Sequence, residues 1–275
     1  MERIKQAVEK AKSKQNKVNP KARTLLVSDS ATSSSDNEDL EKVEYEKTKV
    51  VSLREELLEE NRIVAFDKSN PKAMPFDLLR TQILQKMETN GWRTLAITSP
   101  TPGAGKSVIA INLAISIAQQ TNKTALLADF DLRRPRIGTY LGIPMDKSLN
   151  DILDGSAQIH DVIVNPGIQR LVILPTKQPV TESSEALSSR KIANLIKELR
   201  ERYESRIVIF DLPPVLVSDD VIVVLPQVDC VLMVVANGMS TKKEIEESLS
   251  HIPPEKLIGI VFNKAEIEST PYYYD

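Results

Sequence analysis

The sequence predicts an α/β protein whose doubly wound, mostly parallel sheet is covered by helices on both faces. Three observations support this fold class. Short apolar runs of strand length alternate with longer segments of helical spacing between residues 94 and 262. Most of these runs are apolar at consecutive positions, as in strands buried on both faces of a parallel sheet. A glycine-containing turn at residues 102–107 joins the first run to a helical segment, which is typical of the carboxyl end of a strand in such a sheet.

The individual elements follow from the same patterns. A short helix is expected over residues 53–60, ahead of the sheet. Strands are predicted over 94–98, 124–129, 170–175, 207–211, 230–236 and 257–262. Helices are predicted over 108–118, 135–141, 148–153 and 186–203. Apolar residues at positions 192, 195, 196 and 199 share one face of the last helix. Connections between parallel strands are expected to be right-handed.

The turn at residues 99–107 reads Ser-Pro-Thr-Pro-Gly-Ala-Gly-Lys-Ser and has the composition of a phosphate-binding loop. Gly103 and Gly105 allow the backbone to approach a polyphosphate, and successive N–H groups at a helix N-terminus attract the anion. Lys106 is placed to reach the β- and γ-phosphates, and the Ser107 hydroxyl is a ligand for Mg²⁺. The sequence therefore predicts the nucleotide site of a P-loop NTPase.

Three aspartates stand at the carboxyl ends of predicted strands. Asp129 and Asp131 follow one apolar run at i, i+2 spacing, and Asp211 ends another. Ligands of open α/β sheets bind outside these strand ends, so the three carboxylates are expected beside Lys106. Such a set of carboxylates can bind Mg²⁺ and accept a proton.

Three motifs together resemble those of the bacterial protein-tyrosine kinase (BY-kinase) family. They read Pro-Gly-Ala-Gly-Lys-Ser at 102–107, Asp-Phe-Asp-Leu-Arg at 129–133 and Asp-Leu-Pro-Pro at 211–214, in the family's order and spacing. The resemblance covers about residues 72–275. Pro100 replaces the first glycine of the general P-loop pattern. Thr101 stands where partitioning ATPases of the ParA/MinD type carry an extra lysine.

The resemblance implies a tyrosine autokinase that depends on ATP and Mg²⁺. The expected nucleotide-binding residues are Pro102, Gly103, Ala104, Gly105, Lys106, Ser107, Val108 and Asn263. The expected catalytic residues are Lys106, Asp129, Asp131 and Asp211. In the family's scheme Ser107, Asp131 and Asp211 organise Mg²⁺. In that scheme Asp129 accepts the proton of the tyrosine hydroxyl. The charge of Arg133 suits one of two roles, lowering the pKa of that hydroxyl or binding the acidic C-terminal segment.

The resemblance also implies phosphoacceptors and partners. The segment 269–275 contains Tyr272, Tyr273 and Tyr274, and in the family neighbouring subunits phosphorylate such a cluster. A homo-oligomer is therefore expected, although only Arg80 remains of the family's E-x-x-R-x-x-R oligomerisation pattern. Family members usually serve capsule or exopolysaccharide assembly together with a transmembrane activator of the chain-length-regulator type.

The sequence leaves open which nucleotide binds and which activity the bound nucleotide supports. Asn-Lys-Ala-Glu at 263–266 is close to the Asn-Lys-x-Asp motif for guanine, so GTP stands beside the ATP that the resemblance implies. A nucleotide-dependent switch or scaffold that phosphorylates nothing would use the same loop, and the incomplete oligomerisation pattern favours it. A ParA/MinD-like positioning ATPase is a third alternative, against which the missing lysine argues.

Composition and charge predict four regions. These are a basic, helix-prone arm at 1–23, a largely disordered acidic and serine-rich linker with a short helix at 24–71, the kinase domain at 72–268 and the tyrosine-rich tail at 269–275. The net charge of −2 does not favour nucleic-acid binding. No apolar run approaches the ~20 residues that span a bilayer. A cytoplasmic location is therefore expected, with membrane contact through a partner or the basic arm.

Overall fold

The computed structural model describes residues 48–120 and 122–265 of the 275-residue chain. The basic arm, residues 24–47 of the predicted linker, Glu266 and the three tyrosines of the tail lie outside the described residues. One sheet of eight strands organises the fold. Its strands are β1 (Lys49–Val50), β2 (Thr94–Thr98), β3 (Thr124–Asp129), β4 (Val164–Asn165), β5 (Leu171–Leu174), β6 (Arg206–Asp211), β7 (Cys230–Ala236) and β8 (Leu257–Asn263).

The order of the strands confirms the predicted doubly wound, mostly parallel sheet. The order is β1-β4-β5-β3-β6-β2-β7-β8. Neighbouring strands of the described sheet run parallel, with the exception of the antiparallel pair β4 and β5. Every residue of β2, β3, β6 and β7 is buried, as the consecutive apolar residues of these strands predict.

Helices cover both faces of the sheet. They are α1 (Glu55–Glu60), α2 (Met74–Asn90), α3 (Lys106–Gln120), α4 (Ile137–Leu141), α5 (Leu149–Asp154), α6 (Ile159–Val162), α7 (Ser183–Ser188), α8 (Arg190–Glu201), α9 (Asp220–Val224) and α10 (Lys242–Ser250). Successive residues of β2 separate two cores, because side chains alternate along a strand. Leu95 and Ile97 pack in the core that α2 and α3 cover, whereas Ala96 packs in the core that α8 covers.

The single helix predicted over 186–203 is wrong, because the structure has two helices there. Ser189 separates α7 from α8 with extended backbone, φ −65° and ψ 146°. Its hydroxyl accepts a hydrogen bond from the Ile192 N–H at 3.3 Å, which is an N-cap contact. Leu187 and Ile192 are buried in the same core, so the apolar pattern continues across the break and hides it.

Residues 48–71, which the sequence assigned to the linker, pack against the sheet. Val51, Leu58 and Ile63 are buried in the core that contains α3. The Asn112 side chain of α3 accepts hydrogen bonds from the N–H groups of Val64 and Ala65 at 2.7 and 2.9 Å. The boundary expected at residue 72 therefore falls inside a packed unit. The apolar residues that anchor this segment are too widely spaced to form a recognisable pattern.

Membrane-spanning helices are not found in the part of the chain that the structure describes. No helix there is both long enough and apolar enough to cross a bilayer.

Candidate nucleotide-binding site

The carboxyl ends of β3, β6 and β2 meet at one edge of the sheet, because these strands are neighbours. Asp129, the last residue of β3, is in register with Asp211, the last residue of β6. Asp211 is in turn opposite Ile97 of β2. The phosphate-binding loop follows β2 almost directly. Strand pairing alone therefore brings this loop and two of the predicted carboxylates together.

Two glycines give the phosphate-binding loop its turn. Gly103 and Gly105 have left-handed backbone, with φ 81° and φ 90°. A Cβ atom at Gly105 would lie 2.4 Å from Nδ2 of Asn263, and one at Gly103 would lie 2.8 Å from Cε of Met239. The backbone conformation favours glycine at both positions. Space adds to this at Gly105, whereas the exposed Met239 side chain could move away from a Cβ atom at Gly103.

Lys106, the first residue of α3, lies between two carboxylates. Its Nζ is 2.6 Å from Oδ2 of Asp131 and 3.5 Å from Oδ1 of Asp211. Burial alone would lower the pKa of the lysine, but the charges of Asp211 and Asp131 outweigh this and raise it above its ordinary value. The ammonium group is therefore fully charged at neutral pH, as a phosphate-binding lysine must be.

Asp211 and Ser107 are both buried at the foot of the loop. Neither carboxylate oxygen of Asp211 has a hydrogen bond of normal length and angle from the described residues. Burial raises the pKa of Asp211, and the neighbouring ammonium of Lys106 offsets part of that rise. Buried carboxylate oxygens that lack such a hydrogen bond suit a further cation, since buried polar atoms without hydrogen bonds are costly.

Asp129 lies deeper than Asp131. Its side chain is fully buried, and Oδ2 accepts hydrogen bonds of 2.9 Å from the N–H groups of Arg136 and Ile137. Burial and the charge of Asp211 raise the pKa of Asp129 well above its ordinary value. Its carboxylate thus anchors the start of α4.

A cavity of about 640 Å³ opens beside these groups, a volume within the usual range for small-molecule sites. It is lined by Pro102, Gly103, Gly105, Lys106, Ser107, Val108, Asp131, Arg133, Arg134, Arg136, Tyr140, Pro179, Val180, Thr181, Pro213, Pro214 and Val217. Most of the predicted nucleotide-binding residues are in this set. Ala104, Asn263, Asp129 and Asp211 are not.

Asn263 lies against the phosphate-binding loop. Its Nδ2 donates a hydrogen bond of 2.8 Å to the carbonyl oxygen of Ala104. A second link to the loop is the contact between the hydroxyls of Thr101 and Ser240 at 3.2 Å. In the described structure Asn263 therefore supports the loop backbone, whereas the sequence suggested contact with the nucleotide base.

Arg80 has partners within its own chain. Its guanidinium is 2.9 Å from Oδ1 of Asp77 and donates to the hydroxyl of Ser116 at the same distance. The arginine expected at a subunit contact thus joins α2 to α3. Its assignment to an oligomer interface stays a prediction.

Comparison with known proteins places the chain in a family. A family model described as an AAA domain matches residues 92–253, which is more than half of the chain. The chain belongs to this AAA-domain family. The matched segment contains the loop after β2 and all three predicted carboxylates.

Individual relatives of this AAA domain are tyrosine-protein kinases by name. Wzc of Salmonella typhimurium is 30% identical over 203 residues, which cover 72% of this chain and 28% of that protein. CpsD of Streptococcus agalactiae is 29% identical over 203 residues, which cover 73% of this chain and 86% of that protein. The chain spans only about a quarter of the length of several relatives that it matches, Wzc among them.

Solved structures similar to this chain also include a tyrosine kinase domain. The kinase domain of the Escherichia coli tyrosine kinase ETK superposes with a TM-score of 0.69 at 26% identity, covering 82% of this chain and 92% of that one. The resemblance to bacterial tyrosine kinases that the three motifs predict is therefore confirmed.

Sequence reasoning missed several residues that line the cavity of this AAA domain. Arg134 and Arg136 follow the second motif, and Tyr140 lies on α4. Val180 and Thr181 come from the segment between β5 and α7. These residues show no periodicity or spacing in the sequence. Only the proximity of Arg134 and Arg136 to Asp131 could have drawn attention to them.

Proposed function

We propose that this protein is a tyrosine kinase that transfers the γ-phosphoryl group of ATP to tyrosine. The observation that carries the proposal is Lys106, which lies between Asp131 and Asp211 on the phosphate-binding loop and lines the 640 Å³ cavity. A P-loop lysine within reach of two carboxylates at strand ends suits phosphoryl transfer from a nucleotide. The names of the relatives support tyrosine as the acceptor.

The donor set fits a magnesium ion accompanying ATP. Ser107 and Asp211 supply a hydroxyl and a carboxylate oxygen, the ligands that Mg²⁺ prefers. Asp131, which the sequence also expected at the metal, is left to accept the proton. Among the described residues no group of three or more His, Cys, Asp or Glu side chains forms a metal site by itself. Mg²⁺ commonly takes one or two carboxylates and completes its shell with phosphate oxygens and water. When bound, it neutralises charge that develops on the transferred phosphoryl group.

Different residues of the site have different roles in the proposed phosphoryl transfer. Lys106 and the loop N–H groups bind the β- and γ-phosphates and stabilise the negative charge of the transition state. The tyrosine oxygen forms a bond to the γ-phosphorus as the bond from that phosphorus to the bridging oxygen of ADP breaks. The hydroxyl proton passes to a carboxylate, since a phenol of pKa about 10 keeps its proton at neutral pH.

The geometry favours Asp131 over Asp129 as the proton acceptor. Asp131 lines the cavity, whereas Asp129 is fully buried behind it and binds two backbone N–H groups. We assign Asp129 the role of a positioning residue that holds the turn between β3 and α4. The family scheme, in which Asp129 accepts the proton, is the alternative that the experiment below tests.

The acceptors in this proposal are Tyr272, Tyr273 and Tyr274 of a second copy of the chain. The protein would act as a homo-oligomer, together with a transmembrane activator, in capsule or exopolysaccharide synthesis and export. It would work on the cytoplasmic side of the membrane. The relationship to tyrosine-protein kinases such as CpsD and Wzc supports this assignment.

Peptide mass spectrometry after incubation with Mg-ATP tests the proposal. We expect phosphate on tyrosines of the 269–275 segment in the wild type. Asp131→Asn should lower the rate by a factor of about 100 or more, the usual loss when a proton acceptor is removed. Asp129→Asn should retain measurable transfer, because asparagine can still accept the two backbone N–H groups. If Asp129→Asn is inactive while Asp131→Asn transfers phosphate, the assignment of the two aspartates is wrong. Calorimetric titration with ADP checks that each variant still binds nucleotide.

A further inference from the structure

Three arginines line the cavity that contains Lys106. Arg133, Arg134 and Arg136 belong to the turn between β3 and α4, and all three side chains are exposed. Lys106 already supplies the cationic side chain of the phosphate-binding loop. The three arginines are cationic groups beyond those that this loop requires.

The charge of Arg133 is already matched within the chain. Its guanidinium lies 3.5 Å from Oδ2 of Asp220 and 3.8 Å from Oδ1 of Asp219. Asp220 is fully buried, and its Oδ1 accepts hydrogen bonds from the hydroxyls of Ser183 and Ser184. Two acidic side chains therefore compete with any external anion for Arg133.

Arg134 and Arg136 are different. Neither guanidinium has a hydrogen bond or ion pair to another residue of 48–120 or 122–265. Their backbone N–H groups, in contrast, are fixed by the carboxylates of Asp131 and Asp129, at 3.0 and 2.9 Å. A rigid backbone thus presents two unpaired, always charged side chains to the cavity.

The segment 266–275 has the complementary composition. It reads Glu-Ile-Glu-Ser-Thr-Pro-Tyr-Tyr-Tyr-Asp, with three acidic residues, three tyrosines and no lysine or arginine. Apolar wall residues of the same cavity, among them Val180 and Val217, suit an aromatic ring. The acidic residues of the segment therefore match the arginines of the cavity wall, and its tyrosine rings match the apolar part of that wall.

We infer that Arg134 and Arg136 determine substrate specificity by binding acidic side chains that flank the acceptor tyrosine in segment 266–275 of a second copy of the chain. This rests on the proposed kinase function of the same site. Arg133, held by Asp219 and Asp220, contributes less to this recognition than its place in the second motif suggests.

Direct binding of a peptide tests the inference without requiring catalysis. The probe is a fluorescent peptide of residues 266–275 that carries Tyr272→Phe, Tyr273→Phe and Tyr274→Phe. Its matched control carries in addition Glu266→Gln, Glu268→Gln and Asp275→Asn, which removes the three side-chain charges. Both are titrated by fluorescence anisotropy with the full chain, its Arg134→Gln/Arg136→Gln variant, and Arg202→Gln. Arg202 is an exposed arginine that follows α8 and does not line the cavity.

We expect the acidic peptide to bind the wild type and Arg202→Gln equally. The double variant should bind it about tenfold more weakly, because a solvent-exposed ion pair contributes up to a factor of about five. The neutral peptide should bind all three proteins alike. The Kd for ADP, measured by calorimetry on the same proteins, should change by less than a factor of about two, the spread expected for a surface substitution.

Two results would overturn the inference. One is equal affinity of the acidic peptide for the wild type and the double variant. The other is a parallel loss of ADP binding, which would assign the two arginines to the nucleotide. Failure of the kinase proposal would look different, with charge-dependent peptide binding but no phosphate transfer in the wild type.

Discussion

Gly105→Ala is the substitution that most directly tests how the phosphate-binding loop is packed. The residue has φ 90°, which an L side chain adopts only with strain. A Cβ atom there would lie 2.4 Å from Nδ2 of Asn263, too close for any real contact. The asparagine amide would have to move, and its 2.8 Å hydrogen bond to the Ala104 carbonyl would be lost.

The expected cost has two parts. An alanine in left-handed backbone loses about 1–2 kcal/mol of stability. Loss of a typical hydrogen bond adds about 1 kcal/mol. Gly105→Ala should therefore lower the free energy of unfolding by about 2–3 kcal/mol.

Gly155→Ala is the matched control. Gly155 also has φ 90° and follows α5, but a Cβ atom there would meet nothing closer than Nζ of Lys191 at 3.4 Å. Gly155→Ala should lower the free energy of unfolding only by the cost of the left-handed backbone, about 1–2 kcal/mol. Urea unfolding of the full chain without nucleotide measures both losses by linear extrapolation.

A double-mutant cycle isolates the contact between Gly105 and Asn263. Gly105→Ala in an Asn263→Ala background should cost about 1 kcal/mol less than in the wild type, because the hindering amide is gone. Equal losses for Gly105→Ala and Gly155→Ala, or no difference between the two backgrounds, would refute the packing argument.

Three further predictions concern groups around the sheet. Burial and the charge of Asp211 raise the pKa of Asp129, so the folded state keeps a proton that the unfolded state releases above about pH 4. Stability should fall as pH rises through the folded-state pKa, and Asp129→Asn should flatten that slope in urea titrations at several pH values; an unchanged slope would contradict this. Burial raises the pKa of Cys230 to about 12, so its thiol should resist alkylation at pH about 8 until the protein unfolds, and rapid labelling of the folded chain would contradict this. Asp229 accepts hydrogen bonds from the N–H groups of Arg93 and Thr94 at the start of β2, so Asp229→Ala should cost about 2–3 kcal/mol in urea unfolding. The affinity of the Asp229→Ala variant for ADP should not change, because the nucleotide site is at the other end of β2.

Much of the fold was predictable because its central strands are buried throughout and mostly apolar at consecutive positions. The runs at 94–98, 124–129 and 230–236 match β2, β3 and β7 residue for residue. The two-residue strands β1 and β4 were not predicted, since two residues carry no periodicity. The cap at Ser189 was missed because apolar residues continue on both sides of it.

The sequence predicted which residues form the site but not how deeply each side chain lies. Motif spacing placed Lys106, Asp131 and Asp211 together correctly, because adjacent parallel strands end at one edge. It assigned Mg²⁺ binding to Asp131 and proton acceptance to Asp129, without information on how deep each side chain lies. The strand ends at Asp129, so Asp131 belongs to the following turn. Both side chains are buried, but only Asp131 lines the cavity. The position of Arg134 and Arg136 in the cavity wall depends on the path of this turn, which no local pattern encodes.

The proposed phosphoryl transfer depends most on Lys106, which lies between two carboxylates at the cavity. Its most direct test is intact-mass measurement of the full chain after incubation with Mg-ATP, beside Lys106→Met. We expect added phosphate in the wild type and none in the variant. Phosphate on Lys106→Met at the wild-type rate would contradict the proposed transfer, and a wild type that binds ATP without gaining phosphate would favour a nucleotide-dependent switch.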